Sequence, residues 1–288
     1  MAITGKPCIT LCADDYGLAP GVGRAIRSLV AANRLSATSC MTLSPFWPEE
    51  AALLRPLGHR VEVGLHLTLT DHPPLGAMPK LAPDGRLPSL PRLMALAYGR
   101  RLDAAEVAGE IERQFAAFDL HFGRAPAFID GHQHVHQLPV IGSLLLEHYQ
   151  NRWPASANPK PWIRRCTEPL PAIWRRGVSP LKASLISLMG LSQTRRLRRA
   201  GIPGNNGFRG VRDFKTSGFA SLLESFISPP LEGALIMCHP GYADAILAGA
   251  DAVVGEREEE YAALAGDALP QALRNAGAKL RLPESVAE

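Results

Sequence analysis

The chain has 288 residues, 46% of them hydrophobic and 20% charged, so it is long enough for one large α/β domain or two small ones and too apolar to be disordered. Its 31 Lys+Arg exceed its 27 Asp+Glu only slightly, and no nucleic-acid partner is expected. Five Cys are scattered without a CxxC pair, which argues against a disulfide framework and for a reducing compartment.

The N-terminus, MAITGKPCITLCADD, lacks an apolar segment of signal-peptide length, and no run of about 18 apolar residues reads as a membrane span. A cytoplasmic, soluble protein is the expectation. From there short apolar runs alternate with longer amphipathic segments. Strands are predicted at CITLCA (8–13), SATSCMTLS (36–44), VEVGLHLTL (61–69), AFID (127–130), PWIRR (161–165), GALIMCH (233–239) and AKLRL (278–282). Helices are predicted at 21–33, 103–122, 138–149, 181–200, 218–227 and 256–276. The alternation indicates a mostly parallel sheet with crossover helices: a single-domain (β/α) barrel-like fold over 1–288 with about seven parallel strands, the alternative being a doubly wound open sheet. The Pro-rich segment 71–102 reads as an ordered excursion over one face.

Polar residues gather where the predicted strands end. Asp14 and Asp15 close the first strand, His66 lies late in the third, and GHQHVHQ follows the fourth. Arg164 and Arg165 end the fifth, and His239 follows GALIMC. In parallel α/β architectures these ends share one rim, where ligands bind. An isolated Asp-Asp pair is often a turn or helix cap. On a turning strand end, however, one acid can hold a metal while the other takes a proton.

His132, His134 and His136 alternate. In an extended strand, i and i+2 side chains share a face about 6–7 Å apart, so two can chelate one ion, whereas the outer pair would stand about 13 Å apart. Geometry alone leaves open which imidazole binds. One Asp and two His would leave positions for water and substrate. His239, held at a Pro-Gly turn, suits proton donation near neutral pH. Cys238, facing the other way, is expected to pack inward. Arg195, Arg196, Arg198 and Arg199 read as a solvated helix face, because Leu197 and Ala200 interleave with them.

The pieces CADDYGLAPGVGRAI (12–26), GLHLTLT (64–70), FIDGHQHVHQLP (128–139) and MCHPGYAD (237–244) resemble the YdjC-like carbohydrate deacetylases, the family that includes chitooligosaccharide deacetylase and the hopanoid-biosynthesis protein HpnK. The resemblance implies Asp15, His66 and His132 as metal ligands, Asp14 as general base and His239 as general acid. It implies an Arg164 that orients substrate or an acidic partner, with His134 and His136 around the site. The implied cofactor is one divalent ion, magnesium by resemblance, while two His and one Asp would equally suit zinc or another transition metal. The implied reaction is metal-dependent removal of an acetyl group from an N-acetylated amino sugar, oligosaccharide or glycolipid. A metal-dependent phosphoesterase and a non-catalytic sugar-binding barrel are the alternatives. The basic stretch 195–209 gives no role of its own and could meet phosphate or an amphiphile. Phe208, in NNGFRG, is expected on the substrate side, stacking on a sugar ring. A homodimer and peripheral contact with a glycolipid stay open as partners.

Overall fold

In the computed structural model, residues 5–215 and 218–286 are described, and within them lie eight strands: β1 (Cys8–Tyr16), β2 (Ala37–Cys40), β3 (Glu62–Leu67), β4 (Phe128–Gly131), β5 (Trp162–Ile163), β6 (Phe208–Arg209), β7 (Leu235–Cys238) and β8 (Lys279–Leu280). All pair in parallel, in the order β5-β4-β3-β2-β1-β7-β6, with β8 added at the start of β1. From β1 to β5 neighbours in sequence are neighbours in space, as are β6 and β7, and β7 returns to β1. That is barrel order, and it excludes the doubly wound alternative, whose order reverses at a switch point.

The ring breaks between β5 and β6, where no ladder forms among the described residues. Asn205 spans the gap: its side chain accepts from the Arg165 amide at 2.8 Å and donates to the carbonyls of Arg165 and Gly207 at 2.9 and 2.7 Å. The stretch NNGFRG, expected on the substrate side, is therefore a stitch followed by β6.

The helices, in order, are α1 (Pro20–Ala31), α2 (Trp47–Leu54), α3 (Leu90–Tyr98), α4 (Ala104–Phe122), α5 (Ile141–Arg152), α6 (Leu170–Arg176), α7 (Pro180–Arg199), α8 (Phe219–Ile227), α9 (Ala245–Ala250), α10 (Gly255–Ala265) and α11 (Ala268–Ala276). Those predicted from periodicity are present, but the segment 256–276 is two helices, broken at Gly266-Asp267. The Pro-rich excursion carries α3, which starts with Pro91 in its first turn. None of the helices is long and apolar enough to cross a membrane.

The central strands β1 to β4 are buried almost throughout on both faces, as a sheet flanked by helices requires. α4 shows how a helix then fixes a rim. Asp103 caps it by accepting from the Glu106 amide at 3.0 Å, and Gly123, at φ 82°, ends it in the left-handed conformation that favours glycine. Its buried Gln114 clamps the chain just past β3, accepting from the Thr68 amide at 2.9 Å and donating to the Thr68 carbonyl at 2.7 Å. Two residues before that clamp lies His66.

Gly64, on the same strand, has no room for a side chain: an added Cβ would lie 2.5 Å from the buried Phe128 ring, which stacks on Trp162 at 4.2 Å. Gly64→Ala is expected to cost roughly 1–3 kcal/mol in urea unfolding, the usual penalty for overpacking a core. Unchanged stability would show that the Phe128–Trp162 stack can slide.

Candidate active site

Two adjacent acids end β1 and part company. The β1–β2 register slips between Ala13 and Tyr16, and Asp15 sits at φ 66°, a left-handed conformation that costs on the order of 1–3 kcal/mol for a non-glycine residue. The slip sends the two carboxylates to different partners.

Asp14 meets Arg164 in a two-pronged ion pair at 2.7 and 2.6 Å. The same guanidinium lies 2.5 Å from Asp130 and 3.2 Å from the Cys12 sulfur. Cys12, Asp14 and Asp130 would otherwise form a second metal-like cluster, with donor atoms within 4.8 Å of one another. Arg164 already supplies the positive charge there. It is 1% exposed and lies behind Asp14, so it cannot orient substrate or an acidic partner directly, and that expectation is corrected. Although burial opposes ionisation, Arg164 and then His66 hold Asp130 well below the usual carboxylate range.

Asp15 turns the other way. Its Oδ1 lies 2.9 Å from His132 Nδ1 and 3.3 Å from His66 Nε2. The donor atoms of Asp15, His66 and His132 all lie within 4.8 Å of one another. Parallel pairing sets His66 beside Asp130, whose Oδ1 is 2.6 Å from His66 Nδ1, and the Ser39 hydroxyl bonds to both. A carboxylate at Nδ1 keeps the ring proton on that nitrogen and turns Nε2 toward Asp15, the usual support for a metal-binding histidine. Burial disfavours a charged His66, yet Asp130 and Asp15 raise its pKa to about 10, so the surroundings favour positive charge at this point. Two imidazole nitrogens and one carboxylate oxygen facing a common point, with a supporting carboxylate behind, fit a divalent cation and leave positions open.

The other histidines divide. The strand stops at Gly131, and Gln133 and His134 turn left-handed at φ 51° and 62°, so the alternation expected of an extended strand does not apply. His134 lines the pocket, with its ring edge-on to Phe208 at 5.3 Å. His136 is buried and donates from Nε2 to the Arg164 carbonyl at 3.1 Å, helping to seat that arginine. Burial lowers its pKa to about 4, so the ring is neutral.

His239 lines the same pocket, a cavity of about 360 Å³ that also meets Asp14, Asp15, His66 and His132. Its Nδ1 is buried with no hydrogen-bond partner among the described residues, its amide donates to Glu260, and burial lowers its pKa to about 4. Cys238 packs inward, as expected, its thiol pushed up by burial.

Phe208 does not reach the cavity; it is 5% exposed and packs with Cys166 and Val211. The ring that lines the pocket is Phe214, edge-on to His239 at 5.4 Å, which sequence reasoning missed. The opposite wall is apolar, with Leu90 and Met94 from α3 and Leu185, Ile186 and Met189 from α7. Arg195, Arg196, Arg198 and Arg199 are exposed on the last turns of α7. Arg209 is instead buried, bonded to Glu168 and to the carbonyls of Phe226, Ile227 and Pro229. Also missed were Ser39, the role of Asp130, and Arg257, whose guanidinium reaches Asp15 from α10.

A family model described as YdjC-like protein matches residues 8–275. A chitooligosaccharide deacetylase of Yersinia pestis is 31% identical over 237 residues, 82% of each chain. A chitooligosaccharide deacetylase of Serratia marcescens is 37% identical over 134 residues, 46% of this chain and 52% of that one. A crystal structure from Enterococcus faecalis V583, provisionally described as a cellobiose-phosphate cleavage protein, superposes with a TM-score of 0.72 over 99% of this chain and all of its own, at 20% identity.

The buried Glu260 beneath His239 yields a pH test. Burial raises its pKa from the ordinary 4.5 to about 7. The folded chain therefore holds a proton that the unfolded chain has released, and this group's contribution to stability falls as pH rises from about 4.5 through 7. Glu260→Gln is expected to flatten that part of the stability–pH curve in chemical denaturation. A variant curve parallel to the parent's would contradict it.

Proposed function

The chain belongs to the YdjC-like family, and from that premise we propose that it is a metal-dependent carbohydrate deacetylase that hydrolyses the N-acetyl group of an amino sugar. The observation that carries the reading is the divergence of Asp14 and Asp15 at one strand end, one toward two imidazoles and one along the pocket floor on an arginine. Two relatives named as chitooligosaccharide deacetylases support the substrate class.

Asp15, His66 and His132 would hold the ion. When bound, a divalent cation supplies polarisation of a carbonyl and acidification of water. The rest falls to the chain's own groups. Asp14 lines the cavity, and while its Oδ1 accepts from both Arg164 and the Cys12 thiol, its Oδ2, bonded to Arg164, would keep a second lone pair with which to accept a proton from the attacking water. The water oxygen forms the new bond to the acetyl carbon, and the carbon–nitrogen bond breaks. The departing nitrogen needs a proton, and His239, which lines the same cavity, would relay to it the proton that Asp14 takes from the water, leaving both groups as they began. Acetate and a free amine leave. Arg164 fixes Asp14, and Asp130 fixes His66, so the base and the ligand set share one rigid support.

N-acetylglucosamine oligomers incubated with the protein are expected to release acetate, and a chelator is expected to stop it. Phosphate release without acetate would instead favour a phosphoesterase. Asp14→Asn is expected to lower kcat by about 10²–10⁴-fold, the usual range for a lost general base, with metal content retained. His66→Ala is expected to lose the metal. Metal loss from Asp14→Asn would reverse the roles assigned to the two acids.

A further inference from the structure

Asp15 is in a left-handed conformation, at φ 66°, so the strand geometry of β1 does not by itself aim its carboxylate. Something else must present Oδ1 to His66 and His132. The group in contact with the other oxygen is Arg257, whose Nη2 lies 2.7 Å from Asp15 Oδ2 across 242 residues of sequence.

Arg257 is itself fixed on several sides. It is 2% exposed, its Nε donates to the Val253 carbonyl at 3.1 Å, and Nη2 also meets Asp251. Its carbonyl accepts from the Gly241 amide at 3.1 Å, and a Cβ on Gly241 would come within 3.3 Å of the arginine's own Cβ and Cδ. The turn that follows His239 therefore packs directly against the residue that holds Asp15.

Building on the function proposed above, we propose that Arg257 is a positioning residue: it holds Asp15 with Oδ1 toward His66 and His132, and ties that carboxylate to the turn carrying His239. Carboxylates that bind metal are commonly oriented by such outer hydrogen bonds, and losing the partner weakens metal binding. The positive charge of Arg257 acts in the opposite sense, repelling a cation, so the direction of the effect separates orientation from charge.

The test uses the full chain stripped of metal, with cobalt(II) as the probe. Affinity is read by equilibrium dialysis and geometry by the visible spectrum of the bound ion. Arg257→Gln is expected to weaken cobalt binding about 10- to 100-fold and to shift the spectrum. Arg257→Lys, which keeps the charge but gives up the Nε anchor to the Val253 carbonyl, is expected to be intermediate in affinity, again with a shifted spectrum. It decides the matter if the glutamine variant does not fold. Cobalt binding as tight as in the parent or tighter, with an unshifted spectrum in the folded variants, would overturn the proposal. A parent protein that binds no cobalt would overturn both this inference and the function on which it rests.

Discussion

Two of the three acids at this rim depend on one buried cation that belongs to the protein, the guanidinium of Arg164. It lies between Asp14 and Asp130, fully enclosed, with the Cys12 sulfur against it. Three carboxylates crowd the ends of β1 and β4, and without internal compensation such crowding would drive one of them to take a proton. Arg164 balances two of the three. Asp130 can then stay charged where it grips His66, and Asp14 can face the cavity on a fixed support. A buried pair of this kind gains little net stability, but removing one partner typically costs about 3–5 kcal/mol, because the other charge is stranded. The arrangement is better understood as a means of holding acids in place than as a source of stability.

The third acid is compensated separately. Asp15 has Arg257 on one oxygen and two imidazoles on the other. The rim therefore holds two charge systems that meet, among the described residues, at His66, which touches Asp130 at one ring nitrogen and Asp15 at the other. On the proposed function, Asp14 on Arg164 would handle protons and Asp15 on Arg257 would hold the ion. The strand ends carry both, whereas the apolar wall comes from α3 and α7, outside the sheet. Residues on connecting segments of this kind are where selectivity among substrates usually resides.

Much of the rim was legible in the sequence, because strand ends in a parallel barrel must converge and Asp14, Asp15, His66, His132 and His239 each stand at one. The barrel order followed from alternating strands and helices, although β6, two residues long, offers no period to detect. The partners were less legible. Arg164 stood out as a rim residue, but nothing in PWIRR says that it points behind Asp14 rather than toward substrate. Phe208 and Phe214 are six positions apart in one irregular stretch, and only the short β6 decides that the first is buried and the second lines the cavity. Arg257 sits among glutamates in GEREEEY, which reads as a solvated helix face; its partner lies at the other end of the chain. The alternating histidines misled in geometry, since left-handed turns at Gln133 and His134 end the strand before the run is complete.

On the proposed function this rim takes one divalent cation, on Asp15, His66 and His132, and none on Cys12, Asp14 and Asp130. Anomalous diffraction from crystals grown with zinc tests it most directly. A single strong peak is expected, bounded by Asp15, His66 and His132, at about 2.0–2.2 Å from their donor atoms. A peak on the Arg164 side of Asp14, or none at either cluster with the metal present in solution, would contradict it.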